Sequence, residues 1–415
     1  MTLSEELTWR GQIKDKTFDD VKWLDTPQAF YLGVDCNSAA SLTIGNLAVF
    51  MLARRLRKHG WKAVLLVGGA TSLIGDPGGK DEERPLKSRE EIQANAAAIK
   101  KQVERLFSGM DFEPVDNYDW FKDIGYLEFL RDVGKHYSMT ELVQRDYIAQ
   151  RMGESGGGIS YAEFSYNLIQ GYDFWYLFKN KDVVLQIGGS DQWGNMLSGV
   201  PLIRKKEGKE AQALSMPLVI NKSTGKKFGK SEEGAVWLDA ALTSPTQFYQ
   251  FWINADDEGV EDYLKVYTEL SKDEIGAIVA EHRKSPQARY GQTRLAEAVT
   301  MLVHGEEQTV IAQDITDVLT GAKPVAELTD DTLKQMRQEI PAVQAAETGS
   351  VIEALVQSEL ASSNTEARRL LQGNAITVNG QKITRENFEA SDFQNGRALL
   401  RRGKAYKDSA LVELG

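Results

Sequence analysis

The sequence predicts an α/β fold, in which a parallel sheet with helices on its faces is followed by helical and mixed regions. The residues AFYLGV at 29–34 and WKAVLLVGG at 61–69 have the apolar composition of buried strands, and an amphipathic helical pattern separates them. A strand, a helix and a second strand in this order form a crossover that leaves the two strands parallel in one sheet. A third apolar run, VVLQI at 183–187, predicts a further buried strand.

The bulk composition limits the possible functions. A chain of 415 residues is too long for one ordinary core, so we expect two or three domains. The net charge of −11 argues against a simple basic protein that coats nucleic acid. Residues 350–415 nevertheless have a net charge of +1, which is compatible with a local RNA contact in this part of the chain.

The residue types favour a cytoplasmic protein without a membrane partner. The single cysteine, Cys36, excludes an internal disulfide and is typical of a reducing compartment. No apolar run is long enough to span a bilayer, and the N-terminal residues lack the layout of a secretory signal. The four histidines are scattered without metal-ligand spacing, which predicts no tightly bound metal.

The stretch from 166 to 195 carries the strongest signal for a binding site. Tyr166, Gln170 and Asp173 are spaced four and three residues apart, so a helix would place them on one face. The strand at 183–187 then leads into Gly188-Gly189-Ser190-Asp191-Gln192. Ligands of open α/β sheets bind at the carboxyl ends of the strands, and glycines let the backbone approach them closely. The alternative is a helix–loop–strand unit whose polar residues are merely solvated.

A second candidate site follows the first strand. Asp35 and a loop of small residues lead into a helix that begins near Thr43, and a helix N-terminus is a site for phosphate. Gly45 in the first turn would let a ligand lie close to the backbone. The glycine-rich residues 75–80 fit neither a phosphate loop nor a dinucleotide motif, which disfavours an NAD enzyme.

A lysine-rich loop lies further along the chain, where Lys226, Lys227 and Lys230 fall within five residues. Such a run is often a solvated turn. The functional alternative is a mobile loop that closes on a polyanion, because lysine acts as a point charge for phosphate.

The chain after the sheet predicts further domains. A helical pattern follows, then a polar and acidic connector, then a small α+β module with a hairpin at Asn379–Gly380. We therefore expect a catalytic domain at 1–239 with a helical insertion at about 85–160, a helical anticodon-side domain at 240–325, a linker at 326–348 and a small RNA-binding domain at 349–415.

Several long strings, in order, are similar to one known family. They include YLGVD, GGATSLIGDP, NYDWF, EFSYNLIQGYDF, LQIGGSDQWGN and KFGKSEEGAVWLD. Over essentially its whole length the sequence resembles the bacterial-type tyrosyl-tRNA synthetases, which are class I aminoacyl-tRNA synthetases. The resemblance implies a Rossmann-like catalytic domain. The C-terminal GNAITVNGQKI resembles an RNA-binding module shared with a ribosomal protein, which implies an RNA-binding last domain.

The resemblance also implies residue roles, which fall into three groups. The tyrosine substrate would be held by Tyr31, Asp76, Tyr166, Gln170, Asp173 and Gln192. ATP would be contacted by Asp35, Gly45, Gly189, Asp191 and Lys230. The catalytic residues would be Thr43 and Asn46 at the HIGH position, Lys80 and Arg84 near the pyrophosphate, and Lys227, Lys230 and Ser231 at the KMSKS position.

The implied reaction joins L-tyrosine to tRNA(Tyr), with ATP as a further substrate that binds together with Mg²⁺. The implied assembly is a homodimer with the helical insertion at its interface. In the first step the tyrosine carboxylate attacks the α-phosphate. Because this nucleophile is already anionic, no general base is needed, and catalysis depends on positioning and on placed cations.

The sequence departs from the family pattern at the first signature. Thr43 and Asn46 stand where histidines are usual, Cys36 stands where proline is frequent, and the loop before Thr43 is one residue longer. Thr and Asn can still donate hydrogen bonds, but only as neutral groups.

Two alternatives remain beside an active tyrosine enzyme. One is a tryptophan-specific relative, because TIGN is similar to the tryptophanyl form; Tyr31 and Asp173 argue against it, since indole offers only a donor. The other is a catalytically impaired RNA-binding paralogue, against which the lysine loop argues, together with Asp76, Gln170 and Asp191.

Overall fold

The structure, a computed structural model, describes residues 1–37, 39–77, 87–144, 146–152, 157–231, 234–403 and 408–415, with the backbone alone at 146, 147, 150, 230 and 231. The described chain forms two compact units. The first contains residues 1–243 and 253–299, and the second contains residues 244–252 and 300–415.

A parallel five-stranded sheet forms the centre of the first unit, with the strand order β3-β2-β1-β4-β5. The strands are β1 (Ala29–Val34), β2 (Lys62–Val67), β3 (Glu113–Asp116), β4 (Val183–Gly189) and β5 (Gln212–Met216). The predicted α/β class is therefore confirmed. The strand order reverses at β1 and β4, and the crevice beyond the carboxyl ends of such strands is where open α/β sheets bind ligands.

Helices surround this sheet and connect its strands. The longer helices of the first unit are α1 (Leu3–Trp9), α2 (Ile44–Lys58), α4 (Arg89–Leu106), α6 (Tyr126–Asp132), α8 (Asp146–Met152), α9 (Tyr161–Lys181), α11 (Gly199–Glu207), α13 (Val260–Tyr267) and α14 (Lys272–Lys284). The four-residue helices are α3 (Thr71–Ile74), α5 (Tyr118–Phe121), α7 (Met139–Leu142) and α10 (Trp193–Met196).

The inner strands are apolar along their length because helices cover both faces of the sheet. Phe30, Val64 and Leu185, from β1, β2 and β4, have no exposed surface. On β1, Tyr31 pairs in register with Val64 of β2 and with Gln186 of β4. The central strand thus fixes the position of Tyr31 within the sheet.

Helix α9 is well defined at both ends. Ser160 caps its N-terminus in a capping box with Glu163, whose carboxylate also forms a buried ion pair with Arg151. The helix ends at Asp182, where a left-handed backbone (φ 57°) turns the chain directly into β4. Side chains along α9 therefore have fixed positions relative to the end of β4.

One detail of the predicted insertion is wrong. Residues 113–116 lie within the range assigned to a helical insertion, but they form β3, the edge strand beside β2. The sequence EPVD is short and contains a proline, which edge strands tolerate, so it gives no alternating apolar pattern. The helical segment that follows β3 comprises α5 to α8.

The second unit contains a mixed five-stranded sheet with the order β10-β9-β11-β12-β8. Its strands are β8 (Ala342–Ala345), β9 (Ile376–Val378), β10 (Gln381–Lys382), β11 (Arg397–Arg402) and β12 (Ser409–Leu414). The helices α12 (Pro245–Ile253) and α15 (Tyr290–His304) contribute to it in part, and α16 (Glu306–Thr320), α17 (Asp330–Glu339), α18 (Val351–Gln357) and α19 (Asn364–Gln372) contribute whole.

The predicted linker at 326–348 is instead an integral part of this unit. Strand β8 pairs in parallel with β12. Leu333 and Met336 of α17 are fully buried in one cluster with Leu411 of β12. The polar composition of the segment reflects its outer face, while Leu333, Met336 and Ile340 have the spacing of one helical face and are buried in one cluster.

No helix in the described part of the chain is long and apolar enough to cross a bilayer.

The substitution Leu333→Ala is expected to destabilise the second unit by about 3 kcal/mol, because it leaves a cavity in this buried cluster. Hydrogen exchange measured by mass spectrometry should show faster exchange in peptides from β8 and β12. The matched control is Lys334→Ala, an exposed neighbour on the same helix. Equal exchange in both variants would show that 326–348 behaves as a linker.

Candidate active site

A cavity of about 390 Å³ opens at the carboxyl ends of β1 and β4, where the strand order reverses. It brings together most of the site residues that the sequence analysis named. These are Tyr31, Asp35, Thr43, Gly45, Asn46, Asp76, Tyr166, Gln170, Asp173, Gly189, Asp191, Gln192 and Lys227. The side chains of Lys230 and Ser231, and all of Lys80 and Arg84, lie outside the described residues.

Two hydroxyl-recognising groups lie at the floor of the cavity. Tyr31 of β1 and Asp173 of α9 are both almost completely buried, with exposed fractions of 1% and 2%. The hydroxyl of Tyr31 has no hydrogen-bond partner among the described residues. A buried hydroxyl without a partner costs free energy, so this floor is incomplete without a polar ligand atom.

The Asp173 carboxylate is held by two donors from the segment after β3. Trp120 donates its indole N–H to Oδ1 at 2.9 Å, and Asn117 donates its side-chain amide to Oδ2 at 3.1 Å. Burial raises the pKa of Asp173 to about 8, although these two hydrogen bonds act in the opposite direction. Burial and the nearby Asp173 also raise the pKa of Tyr31 well above its usual value.

Asn117 and Trp120 are site residues that the sequence alone did not predict. A signal was present, because the string NYDW at 117–120 directly follows a strand, as the polar residues after β1 and β4 do. It was missed because β3 itself was not recognised as a strand.

A second polar group lies beside the floor. Asp76 accepts a hydrogen bond from the Gln192 amide at 2.7 Å and another from the Asn195 amide at 3.3 Å. Asn195 also donates to the side-chain oxygen of Gln192 at 3.1 Å. Tyr166 and Gln170, one turn apart on α9, line the same cavity. This carboxylate with surrounding polar groups can bind a primary ammonium.

The N-terminus of α2 forms another wall. Thr43 and Asn46 form a capping box: the Thr43 backbone N–H and hydroxyl both donate to Asn46 Oδ1 at 2.9 Å, and the Asn46 N–H donates to the Thr43 hydroxyl at 3.4 Å. The two residues that replace the usual histidines therefore stabilise the helix end that faces the cavity.

The lysine loop lies against this helix end. The Ile44 N–H, at the start of α2, donates to the carbonyl of Val236 at 3.1 Å. The chain that follows the loop is therefore bonded to the first turn of this helix. Gly229 has a left-handed backbone (φ 99°), and a Cβ there would lie 3.5 Å from the Gly45 nitrogen. Glycine suits this position, since other residues rarely adopt that backbone.

Two further contacts position the loop. The Phe228 ring stacks on the Tyr263 ring of α13, with 4.1 Å between centroids and 23° between planes. The Lys227 ammonium pairs with the Asp191 carboxylate at 2.9 Å, and both side chains are about half exposed. The backbone of β6 (Lys230–Ser231) pairs antiparallel with β7 (Gly234–Ala235).

The end of β4 offers bare backbone to a ligand. A Cβ at Gly188 would lie 2.9 Å from the Met196 sulfur, and a Cβ at Gly189 would lie 2.7 Å from Asp191 Oδ1. A side chain at either position would require the Met196 or the Asp191 side chain to move, and both glycines line the cavity.

The cavity can thus bind a hydroxyl at its floor, an ammonium beside it and an anion at its rim. Within the described ranges, no three His, Cys, Asp or Glu residues are grouped so that they could hold a metal ion.

This fold and site define a class I aminoacyl-tRNA synthetase. The chain belongs to the family described as tRNA synthetases class I (W and Y), whose family model matches residues 25–319. A second family model, described as the tyrosine–tRNA ligase SYY-like C-terminal domain, matches residues 332–407.

The similar proteins are tyrosine–tRNA ligases. The chain is 41% identical to the enzyme of Bacteroides thetaiotaomicron, over 97% of this chain and 98% of that protein. It is 42% identical to the enzyme of Escherichia coli O139:H28, over 97% of each chain. A C-terminally truncated mitochondrial tyrosyl-tRNA synthetase of Aspergillus nidulans matches with a TM-score of 0.68 at 30% identity, covering 75% of this chain and 92% of that one.

The raised pKa of Asp173 predicts a pH dependence of stability without ligand. Between the ordinary value of 3.8 and about 8, the folded protein holds a proton that the unfolded chain releases. The free energy of unfolding should therefore fall as pH rises from about 5 to about 8, by up to about 1.4 kcal/mol per pH unit.

Asp173→Asn should remove this part of the pH profile. Urea unfolding followed by tryptophan fluorescence measures it, because seven of the eight tryptophans lie in the first unit. Identical pH profiles for the parent and the variant would contradict a buried Asp173 that holds a proton.

Proposed function

We propose that the protein is a tyrosine–tRNA ligase, which activates L-tyrosine with ATP and transfers it to the 3′-terminal adenosine of tRNA(Tyr). One observation carries the proposal: the Tyr31 hydroxyl and the Asp173 carboxylate share the floor of a cavity whose rim holds a helix N-terminus and a lysine. The names of the similar proteins support the same activity.

The floor explains the choice of tyrosine. The phenol of the substrate would donate to the Asp173 carboxylate and accept from the Tyr31 hydroxyl. Phenylalanine would leave both buried groups without that partner, and tyrosyl-tRNA synthetases are a known example of this kind of rejection. Indole could donate to Asp173 but could not accept from Tyr31, which disfavours a tryptophan enzyme.

The middle of the cavity would hold the amino-acid backbone. Asp76, Tyr166 and Gln170 would surround the ammonium, and Gln192 would complete the site from the end of β4. The Asp76–Gln192 hydrogen bond of 2.7 Å supports this arrangement, because it fixes both side chains before the ligand arrives.

The rim would hold ATP. Asp35, Gly189 and Asp191 would contact the ribose and the nucleotide, and Gly45 would let it approach α2. Seven residues would stabilise the phosphates as negative charge moves to the pyrophosphate. They are Thr43, Asn46, Lys80, Arg84, Lys227, Lys230 and Ser231. The helix N-terminus supports this role, because its backbone dipoles favour an anion.

Mg²⁺ would enter with ATP. The carboxylates Asp35 and Asp191 line the nucleotide side of the cavity, and Mg²⁺ usually takes one or two carboxylates together with phosphate oxygens and water. Because Asp35 and Asp191 would also contact the ribose and the nucleotide, phosphate oxygens and water would supply most ligands of the ion, which would neutralise charge on the departing pyrophosphate.

The remaining partners follow from this activity. The second unit, which contains the 332–407 match, would contact tRNA through the small domain at 349–415. The helical residues 240–325, predicted as one domain, are divided between the two units and would contact the anticodon side of tRNA. A cytoplasmic location fits both the tRNA partner and the single cysteine, which is typical of a reducing compartment.

A homodimer would form through the helical segment after β3. Five large apolar side chains between α6 and the start of α9 are more than half exposed, and the Tyr126 and Tyr161 hydroxyls lie 3.5 Å apart. These residues are Tyr126, Leu127, Met139, Met152 and Tyr161. Exposed large apolar side chains in one segment are typical of a protein interface, and a second copy of the chain is the partner proposed.

Pyrophosphate exchange tests the activity. The parent should exchange with tyrosine and not with tryptophan. Tyr31→Phe and Asp173→Asn should each lower kcat/KM for tyrosine about 10- to 100-fold, because a buried group loses its partner. The change for phenylalanine should be small. Tyr290→Phe, at an exposed tyrosine, is the matched control. A parent that is inactive with tyrosine yet binds tRNA would support the impaired paralogue instead.

Light scattering coupled to size-exclusion chromatography tests the dimer. Leu127→Asp is expected to shift the mass from two chains to one, because a charge would be buried in the interface. The control Val310→Asp introduces the same charge at an exposed apolar residue of the second unit and should leave the mass unchanged. A Leu127→Asp variant that keeps the mass of two chains would exclude this interface.

A further inference from the structure

The loop between β1 and α2, which carries Asp35, is bound from beneath by one serine. Ser72 in α3 is completely buried. Its hydroxyl donates to Asp35 Oδ1 and accepts from the Cys36 N–H at 2.9 Å. Its carbonyl accepts from the Asn37 side-chain amide at 2.6 Å. Three consecutive loop residues are therefore bonded to a single residue.

Helix α4 provides a second set of contacts to the same loop. Asn95 donates its side-chain amide to the Cys36 carbonyl at 2.9 Å. Gln102 accepts from the Leu42 N–H at 2.9 Å. These residues are seven positions apart and so lie on one face of the helix. Side chains of this helix therefore supply hydrogen-bond partners for the backbone at both ends of the loop.

The Cys36 side chain belongs to this arrangement and is not a nucleophile. It is fully buried, and its sulfur lies 3.1 Å from the Ser72 hydroxyl. Burial raises the pKa of the Cys36 thiol to about 11, so the thiol remains protonated at neutral pH.

The contacts to Asp35 bear on nucleotide binding. Its Oδ1 accepts from both the Ser72 hydroxyl and the Asn37 N–H, the latter at 2.9 Å. Two donors on one oxygen fix the plane of the carboxylate, which lines the cavity. A carboxylate held in this way binds a ligand without first losing rotational freedom.

We propose that Ser72 is a positioning residue for ATP binding, which acts by orienting Asp35, and that Asn95 provides the second anchor of the same loop. The proposal rests on the role of Asp35 at the nucleotide. Ser72 itself lies beneath the loop and acts through another residue, so it should affect ATP and not tyrosine.

The experiment is pyrophosphate exchange with ATP and tyrosine varied separately. Ser72→Ala is expected to raise KM for ATP about tenfold, with KM for tyrosine within about twofold of the parent. The matched control is Ser358→Ala in the second unit, another buried serine, whose hydroxyl donates to the Ala354 carbonyl at 2.7 Å. It should leave both constants unchanged. A loss in kcat with equal changes in both KM values would indicate a merely structural role and would overturn the proposal.

A double-mutant cycle with Asp35→Asn tests the route of action. If Ser72 acts through Asp35, the double variant should have the same KM for ATP as Asp35→Asn alone. Additive effects would overturn the proposal. If Asp35→Asn leaves KM for ATP unchanged, Asp35 has no role at the nucleotide, and the proposal is overturned with it. If Asp35→Asn raises KM for ATP but Ser72→Ala does not, only the role of Ser72 is overturned.

If Ser72→Ala does not fold, Asn95→Ala decides the question. A selective rise in KM for ATP that is lost in the Asp35→Asn background supports the anchored loop. An unchanged KM for ATP in folded Asn95→Ala overturns it.

Discussion

The buried carboxylate of Asp173 is the constraint on which the site depends. A charge so far from water is costly, and the two donors among the described residues, Trp120 and Asn117, do not offset that cost, so without a ligand the group keeps its proton up to a pH of about 8. The third partner must come from the ligand. Three features of the fold therefore determine whether a ligand hydroxyl can bind at the floor of the cavity. They are the position of Asp173 on α9, the position of Tyr31 in the central strand and the turn after β3.

The rim follows a different principle. Its positive character comes from a helix end and from lysines on a loop, and neither is buried as Asp173 is. The loop is positioned chiefly by the stack of Phe228 on Tyr263 and by the approach of Gly229 to α2. The lysine loop and the N-terminus of α2 are thus in backbone contact, and the neutral Thr43–Asn46 cap stabilises the helix side of this contact.

The sequence predicted the features that depend on the regular spacing of residues along one helix or strand. The spacing of Tyr166, Gln170 and Asp173 was sufficient to place them on one helical face, and all three line the cavity. The contacts of Asn117 and Trp120 with Asp173 join residues more than fifty positions apart, so their place after a strand indicates a site but does not indicate Asp173 as their partner. The edge strands β3 and β8 were missed for a related reason, because each has four residues and too little apolar alternation.

The ion pair between Lys227 and Asp191 has a consequence for how the nucleotide enters. Both groups are expected at the nucleotide, yet without it they neutralise each other across 2.9 Å. A half-exposed pair of this kind is worth about 0–1 kcal/mol, so an incoming triphosphate can displace the carboxylate from the lysine at small cost. The exchange of partners makes ATP capture sensitive to ionic strength, because dissolved salt weakens the attraction of the lysine for both anions.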